Sequence, residues 1–190
     1  MHALIDQTRR FAAGEKKNLE PLTSPVTEEV ALLSQSFAEM ARADVLAPAA
    51  GTGEIAPLVE KLRARYREQG LAVPLAGELT APAKLPGEIL ETVLTNLFDN
   101  SRQNGASSVA ISAVVADGNL SLTIADNGAG ISPANREKIF TPFFTTRRDE
   151  GGTGLGLGIV RALLKAYGGD IELITADKGA VFRVTLPVGR

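Results

Sequence analysis

The amino-acid sequence predicts an α/β fold of two layers, a mixed β-sheet covered on one face by helices, with an α-helical hairpin ahead of it. Three observations carry this expectation. Five short runs rich in β-branched and aliphatic residues read as strands, at Leu71–Ala76, Val109–Ala116, Leu120–Ala125, Ile171–Ala176 and Val181–Leu186. Segments with apolar residues at helical spacing lie between and before them. Elements of both kinds in this order pack as helices on a sheet. With 190 residues and 44% apolar content, the chain has material for one good core plus an appendage.

Each element has its own local cause. Leu4 to Ala13 reads as a short helix ended by Gly14, and Pro21 and Pro25 hold the following connector extended. Val30, Leu33, Phe37 and Met40 then follow a 3-4-3 spacing, the seam of a coiled coil, with Glu28 and Glu29 in the first helical turn. A generic amphipathic hairpin is the plainer alternative for residues 1–42. Residues 43–53, rich in Ala, Gly and Pro, read as a linker. From Glu54 to Gln69, Ile55, Leu58, Val59, Leu62 and Tyr66 share one helical face. Residues 86–105 carry Ile89, Leu90, Val93, Leu94, Leu97 and Phe98 at helical spacing, with Pro86 near the start and Gly105 at the end. Asp117-Gly118-Asn119 is a hairpin signal between two strand candidates. Ser132 to Thr153 is polar, with a short helix expected from Pro133 to Phe140 and a charged tip at Arg147-Arg148-Asp149-Glu150. A last helix is expected from Ile159 to Tyr167.

Composition removes several classes of function. Twenty Lys and Arg against 22 Asp and Glu give a net charge of −2, which offers no basic footprint for nucleic acid. Without cysteine there is neither a disulfide nor a thiolate metal site. No apolar run approaches the roughly 20 residues that span a bilayer. The start Met1-His2-Ala3-Leu4-Ile5 is too short for a signal sequence. A cytoplasmic chain is expected.

Three short stretches carry chemistry. Gly151-Gly152-Thr153-Gly154-Leu155-Gly156-Leu157-Gly158 holds five glycines in eight residues and runs directly into the last helix. Such a loop lets the backbone approach a ligand, and the helix start behind it presents unpaired N–H groups to phosphate. A merely flexible glycine turn is the alternative. Asp126-Asn127-Gly128-Ala129-Gly130-Ile131 closes a strand. Asp126 is placed there to accept a hydrogen bond from an exocyclic amine, unless the stretch is an ordinary tight turn. Asn96 and Asn100 sit four apart on the helix of residues 86–105, hence on one face, with Asp99, Arg102 and Gln103 close by. Asparagine is a poor helix former. The pair is either solvated or supplies an amide oxygen to magnesium, a hard cation, with Arg102 near phosphate. Neither the phosphate-loop pattern nor a dinucleotide fingerprint fits.

In order and content these stretches resemble the ATP-binding catalytic domain of sensor histidine kinases, within the gyrase–chaperone–kinase–mismatch-repair ATPase superfamily. Asn96-Leu97-Phe98-Asp99-Asn100-Ser101 looks like the asparagine box, and Asp126 to Ile131 like the first glycine box. Ile139-Phe140-Thr141-Pro142-Phe143-Phe144-Thr145-Thr146-Arg147 is similar to the phenylalanine box, and Gly152-Thr153-Gly154-Leu155-Gly156-Leu157 to the second glycine box. Gly179 to Pro187 is similar to the closing strand, so the likeness covers about residues 54–190. It implies a Bergerat-type ATP fold, ATP and Mg²⁺ as cofactors, and a lid over the nucleotide between Ser132 and Thr153. It further implies adenine read by Asp126, with Gly128, Gly130, Ile131, Gly152, Thr153, Gly154, Leu155, Gly156 and Leu157 around the nucleotide. Asn100 would hold the metal, Asn96, Arg102, Gln103 and Arg147 would line the phosphate side, and Thr146 would join the ATP-binding residues. Asp99 is the candidate catalytic base. Hydrolytic relatives carry a glutamate where this chain has Asn96, so the resemblance favours phosphoryl transfer over hydrolysis.

Residues 1–42 resemble a HAMP signal-relay segment, which implies a weak homodimer through them and a place on the cytoplasmic face of a membrane receptor. The family's phosphoacceptor domain, a His followed by an acidic residue, has no room between Arg42 and residue 54, and the sole histidine is His2. The expected function is therefore a histidine-kinase catalytic module acting on a histidine supplied in trans, with a response regulator downstream. An ATP-binding regulatory or dimerisation module without phosphotransfer is the alternative of a different class. An anti-sigma-type serine kinase shares the boxes but leaves the HAMP-like start unexplained.

Overall fold

A computed structural model describes residues 54–77, 79–148 and 152–189. The expected hairpin of residues 1–42, the linker 43–53 and, of the charged tip, Asp149 and Glu150 lie outside the described residues. The described elements run α1 (Ile55–Glu68), β1 (Leu75–Gly77), α2 (Gly87–Gln103), β2 (Val109–Ala116), β3 (Asn119–Asp126), a 3-10 turn (Pro133–Asn135), α3 (Gly156–Ala166), β4 (Asp170–Ile174) and β5 (Val181–Pro187).

The strands form one mixed sheet in the order β1-β2-β3-β5-β4, with β1 parallel to β2 and every other pair antiparallel. Side chains alternate across it with period two. Val109, Ile111 and Ala113 of β2, Leu120, Leu122 and Ile124 of β3, and Phe182, Val184 and Leu186 of β5 are buried, while their neighbours face outward. Onto that apolar face α1 packs Ile55, Val59, Leu62 and Tyr66, α2 packs Leu90, Val93, Leu94, Leu97 and Phe98, and α3 packs Val160, Leu163 and Leu164. Each fully buried side chain of this kind contributes roughly 1.5–3 kcal/mol. The two layers and the mixed sheet are those expected.

Three boundaries differ from the expectations. The strand foreseen at Leu71–Ala76 forms only from Leu75 to Gly77, with Ala72 making a lone bridge to Ser108. Pro74 has no N–H to give to a ladder, so the run breaks there. The helix foreseen from Ile159 starts at Gly156, since the Ile159 N–H already closes on the Leu155 carbonyl at 2.9 Å. Gly156 and Gly158 lower helix propensity in that first turn, which is why the periodicity misses it. The helix foreseen from Pro133 to Phe140 is a single 3-10 turn followed by bonded turns, Lys138 N–H to Asn135 O at 2.9 Å and Thr141 N–H to Lys138 O at 2.8 Å. Ile139 is drawn into the core and Phe140 stands edge-on to Phe182, so packing rather than a helical ladder holds this segment.

Candidate active site

A cleft of about 940 Å³ opens between α2, the end of β3, the segment 131–147, the loop into α3 and the start of β5. It gathers Asn96, Asp99, Asn100, Gln103, Asp126, Gly130, Ile131, Thr146, Arg147, Gly152, Thr153, Gly154, Gly156 and Leu157. These residues are spread along the chain from Asn96 to Leu157, and the fold alone makes them neighbours. Arg102, Gly128 and Leu155 stand outside the lining. Arg102 leans on Asp99 at 3.8 Å, Gly128 gives its N–H to Asp126, and Leu155 is the residue just before α3. The lining also includes Ser101, Phe144, Ala180 and Phe182, which belong to the motifs but had no site role assigned, and Asn104 and Asn135, which lie outside them.

At one end Asp126 is held by three donors. Its Oδ1 accepts the N–H groups of Gly128 at 2.9 Å and Ala180 at 3.0 Å, and its Oδ2 accepts the hydroxyl of Ser101 at 2.9 Å. Its own N–H bonds the Ala180 carbonyl at 2.9 Å. Gly179 lets the β4–β5 loop come this close: its φ is +70°, and a Cβ there would overlap the Asp126 carbonyl oxygen. Asn127 braces the same corner, accepting the N–H groups of Ser107 at 2.9 Å and Ser108 at 3.0 Å on its Oδ1. The result is a carboxylate of fixed orientation with acceptor capacity left on one oxygen.

The other end is formed by the start of α3 and the polar face of α2. No side chain caps α3, so the N–H groups of its first turn face the cleft at the positive end of the helix dipole. Across from it, the Asn96 amide donates to Thr92 O at 2.9 Å and turns its Oδ1 toward Gly156, where a Cβ would come within 2.9 Å. The neighbouring Asn100 side chain makes no hydrogen bond among the described residues. Gln103 Oε1 meets Arg147 Nη1 at 3.5 Å, joining α2 to the segment over the cleft.

Asp99, the candidate base, is engaged from below. Tyr66 of α1 donates its hydroxyl to Asp99 Oδ1 at 3.0 Å and stacks edge-on against Phe98 at 5.1 Å. Burial, together with the hydrogen bond to Asp99 and its charge, pushes the Tyr66 hydroxyl up to about 12.

Residues 86–190 match the family described as histidine kinase-, DNA gyrase B- and HSP90-like ATPase. The chain belongs to that family. It is 33% identical over 200 residues to the C4-dicarboxylate transport sensor protein DctB of Rhizobium meliloti (strain 1021), an alignment covering 98% of this chain and 31% of that protein. It is 41% identical over 104 residues to the sensor histidine kinase ZraS of Salmonella typhimurium (strain LT2), covering 52% of this chain and 22% of that one. The chain thus spans less than a third of the length of these two relatives. In fold it is similar to the catalytic domain of the histidine kinase ThkA, with a TM-score of 0.63 at 24% identity, over 70% of this chain and 92% of that one. This is a histidine-kinase-type ATP-binding catalytic domain. Among the described residues, no helix is long and apolar enough to cross a membrane.

Proposed function

We propose that the domain binds Mg-ATP in the cleft and transfers the γ-phosphoryl group to a histidine presented by another domain, which then passes it to a response regulator. The observation that carries this is the polarity of the cleft: a fixed acceptor, Asp126, at one end and the uncapped start of α3 with Asn96, Asn100 and Arg147 at the other. In this reading the Asp126 carboxylate accepts the exocyclic amine of adenine, and the triphosphate runs toward the α3 amides, Gln103 and Arg147.

Magnesium fits one donor here, the Asn100 amide oxygen, which no group among the described residues engages. Among the described residues no cluster of three or more His, Asp or Glu side chains forms a metal cage, which suits a cation that arrives on phosphate oxygens and keeps several waters. When bound, the ion neutralises phosphate charge. The acceptor imidazole nitrogen attacks the γ-phosphorus, the bond to the β–γ bridging oxygen breaks, ADP leaves, and the proton released from the ring goes to Asp99. Phosphoryl transfer of this kind rests chiefly on positioning and charge neutralisation. Asn96 cannot take a proton from water, which disfavours hydrolysis.

A second reading, an ATP-binding regulatory module without transfer, gains from two contacts: Asp99 is already engaged by Tyr66 and lies 3.8 Å from Arg102. Within the first reading, residues 1–42 act as a HAMP-like relay and weak dimerisation segment on the cytoplasmic side. Incubation with γ-labelled ATP and a separate phosphoacceptor-domain protein separates the two readings. The first expects acid-labile label on the acceptor protein, little on this chain, and no change with His2→Ala. ATP binding without label on any acceptor would support the second.

A further inference from the structure

We propose that Ser101 is a specificity-determining residue, whose hydroxyl keeps Asp126 an acceptor for an amine and so selects 6-amino over 6-oxo purine nucleotides. The inference rests on the reading of the cleft as an ATP site and concerns how its base end discriminates. Ser101 is a small polar side chain that is only 4% exposed. It lies within reach of two acceptors, Leu97 O at 3.0 Å and Asp126 Oδ2 at 2.9 Å, but has a single proton to give. The Leu97 carbonyl already takes the helical N–H of Ser101 itself, four residues on. An ionised carboxylate is the stronger acceptor. The proton therefore goes to Asp126.

Lone-pair counting then fixes what a ligand must present. Asp126 Oδ1 is filled by the Gly128 and Ala180 amides, and Oδ2 takes Ser101, which leaves one acceptor position on Oδ2 facing the cleft. Ser101 Oγ, its proton spent, adds only lone pairs beside it. A purine with an amine at position 6 finds an acceptor surface. A purine with an oxygen there meets lone pairs on lone pairs, and three donors stop the carboxylate from turning away.

ITP is the matched probe, because it differs from ATP only around position 6 of the base. Calorimetry of the full chain with ATP and with ITP, each with Mg²⁺, is run on wild type, Ser101→Ala and Ser101→Cys, with thermal melting alongside. Losing one hydrogen bond to a charged group should weaken ATP by roughly three- to tenfold in Ser101→Ala while ITP shifts by less than about twofold. The ATP-to-ITP ratio narrows accordingly. Cysteine, a weak donor of similar size, should fall between. Either variant that melts above the assay temperature reads the ratio by itself. A ratio equal to wild type, or equal weakening of both nucleotides, would overturn the inference and leave a packing role. If wild type fails to bind ATP, or Asp126→Asn leaves binding intact, the reading of the site fails instead, independently of Ser101.

Discussion

The two ends of the cleft are organised to different degrees. At the base end, Asp126, Asn127 and the Gly179–Ala180 loop are tied by a closed set of hydrogen bonds between the end of β3, the turn before β2 and the start of β5. At the phosphate end the fastening is sparse. The segment over the cleft is held by one 3-10 turn and bonded turns after it, by Ile139 and Phe140 packed on the core, and by Phe143 at φ +66° with its N–H on Gly154 O at 2.9 Å. A β-carbon-bearing residue in the left-handed region costs about 1–3 kcal/mol unless its surroundings hold it. The contrast teaches how differently the two ends are prepared for a ligand. Base selection needs a preorganised acceptor, because a carboxylate that must reorient gains little net energy. At the other end, among the described residues, no side chain caps the first N–H groups of α3, and on the proposed reading phosphate oxygens would meet them.

The largest effect expected under this comparison comes from breaking the base end. Asp126→Asn puts an amide donor among three existing donors or against the incoming amine, so ATP affinity should fall on the order of 10- to 100-fold by calorimetry. Gly179→Ala tests the same corner from outside the ligand. Its Cβ meets the Asp126 carbonyl, so the loop must withdraw, and stability in denaturant should drop by about 1–3 kcal/mol together with ATP affinity.

At the phosphate end the losses should be smaller and conditional. On the proposed reading, in which Asn100 holds the cation, Asn100→Ala is expected to weaken ATP roughly tenfold in Mg²⁺ and little in its absence. Equal loss with and without Mg²⁺ would remove Asn100 from the metal. Gln103→Ala, which cuts the link to Arg147, should change ATP affinity by about threefold or less and act mainly on dissociation rate in stopped flow.

The smallest effect is confined to alkaline pH. The Tyr66 hydroxyl titrates higher in the folded chain, about 12 against an ordinary 10.0, so the folded state holds this proton more tightly. That stabilisation is complete below pH 10 and is lost as pH rises from 10 toward 12. Tyr66→Phe has no such proton to lose. Its stability should fall less steeply over that window than wild type, as read by denaturant titration at several pH values.

How much of this was legible beforehand follows from what each residue depends on. Helix α2 and strands β2, β3 and β5 were readable because a period of 3.6 or 2 in apolar residues is a local property of the chain. So were the motif residues Asp126, Asn96 and Asn100, whose chemistry and spacing stand out without any partner. Ser101 was quoted only as the last letter of the asparagine box. Nothing in Leu97 to Ser101 says that a hydroxyl will face a carboxylate 25 residues later, and no sequence signal would have found it. Tyr66 was expected as one more core residue on α1, yet its hydroxyl reaches Asp99, 33 positions away.

The sequence by itself therefore determined the α/β class, the succession of elements and the residue types able to meet a nucleotide. Those follow from local periodicity, turn chemistry and side-chain function. Only the tertiary structure decided which donors saturate Asp126, that Arg102, Gly128 and Leu155 stand back from the cleft, and that α3 opens at Gly156 with its first N–H groups uncapped. The physical reason is that hydrogen-bond saturation depends on distances between strands and helices. Those distances are set by the packing of the buried faces of α1, α2 and α3 on the sheet, and by no single stretch of chain.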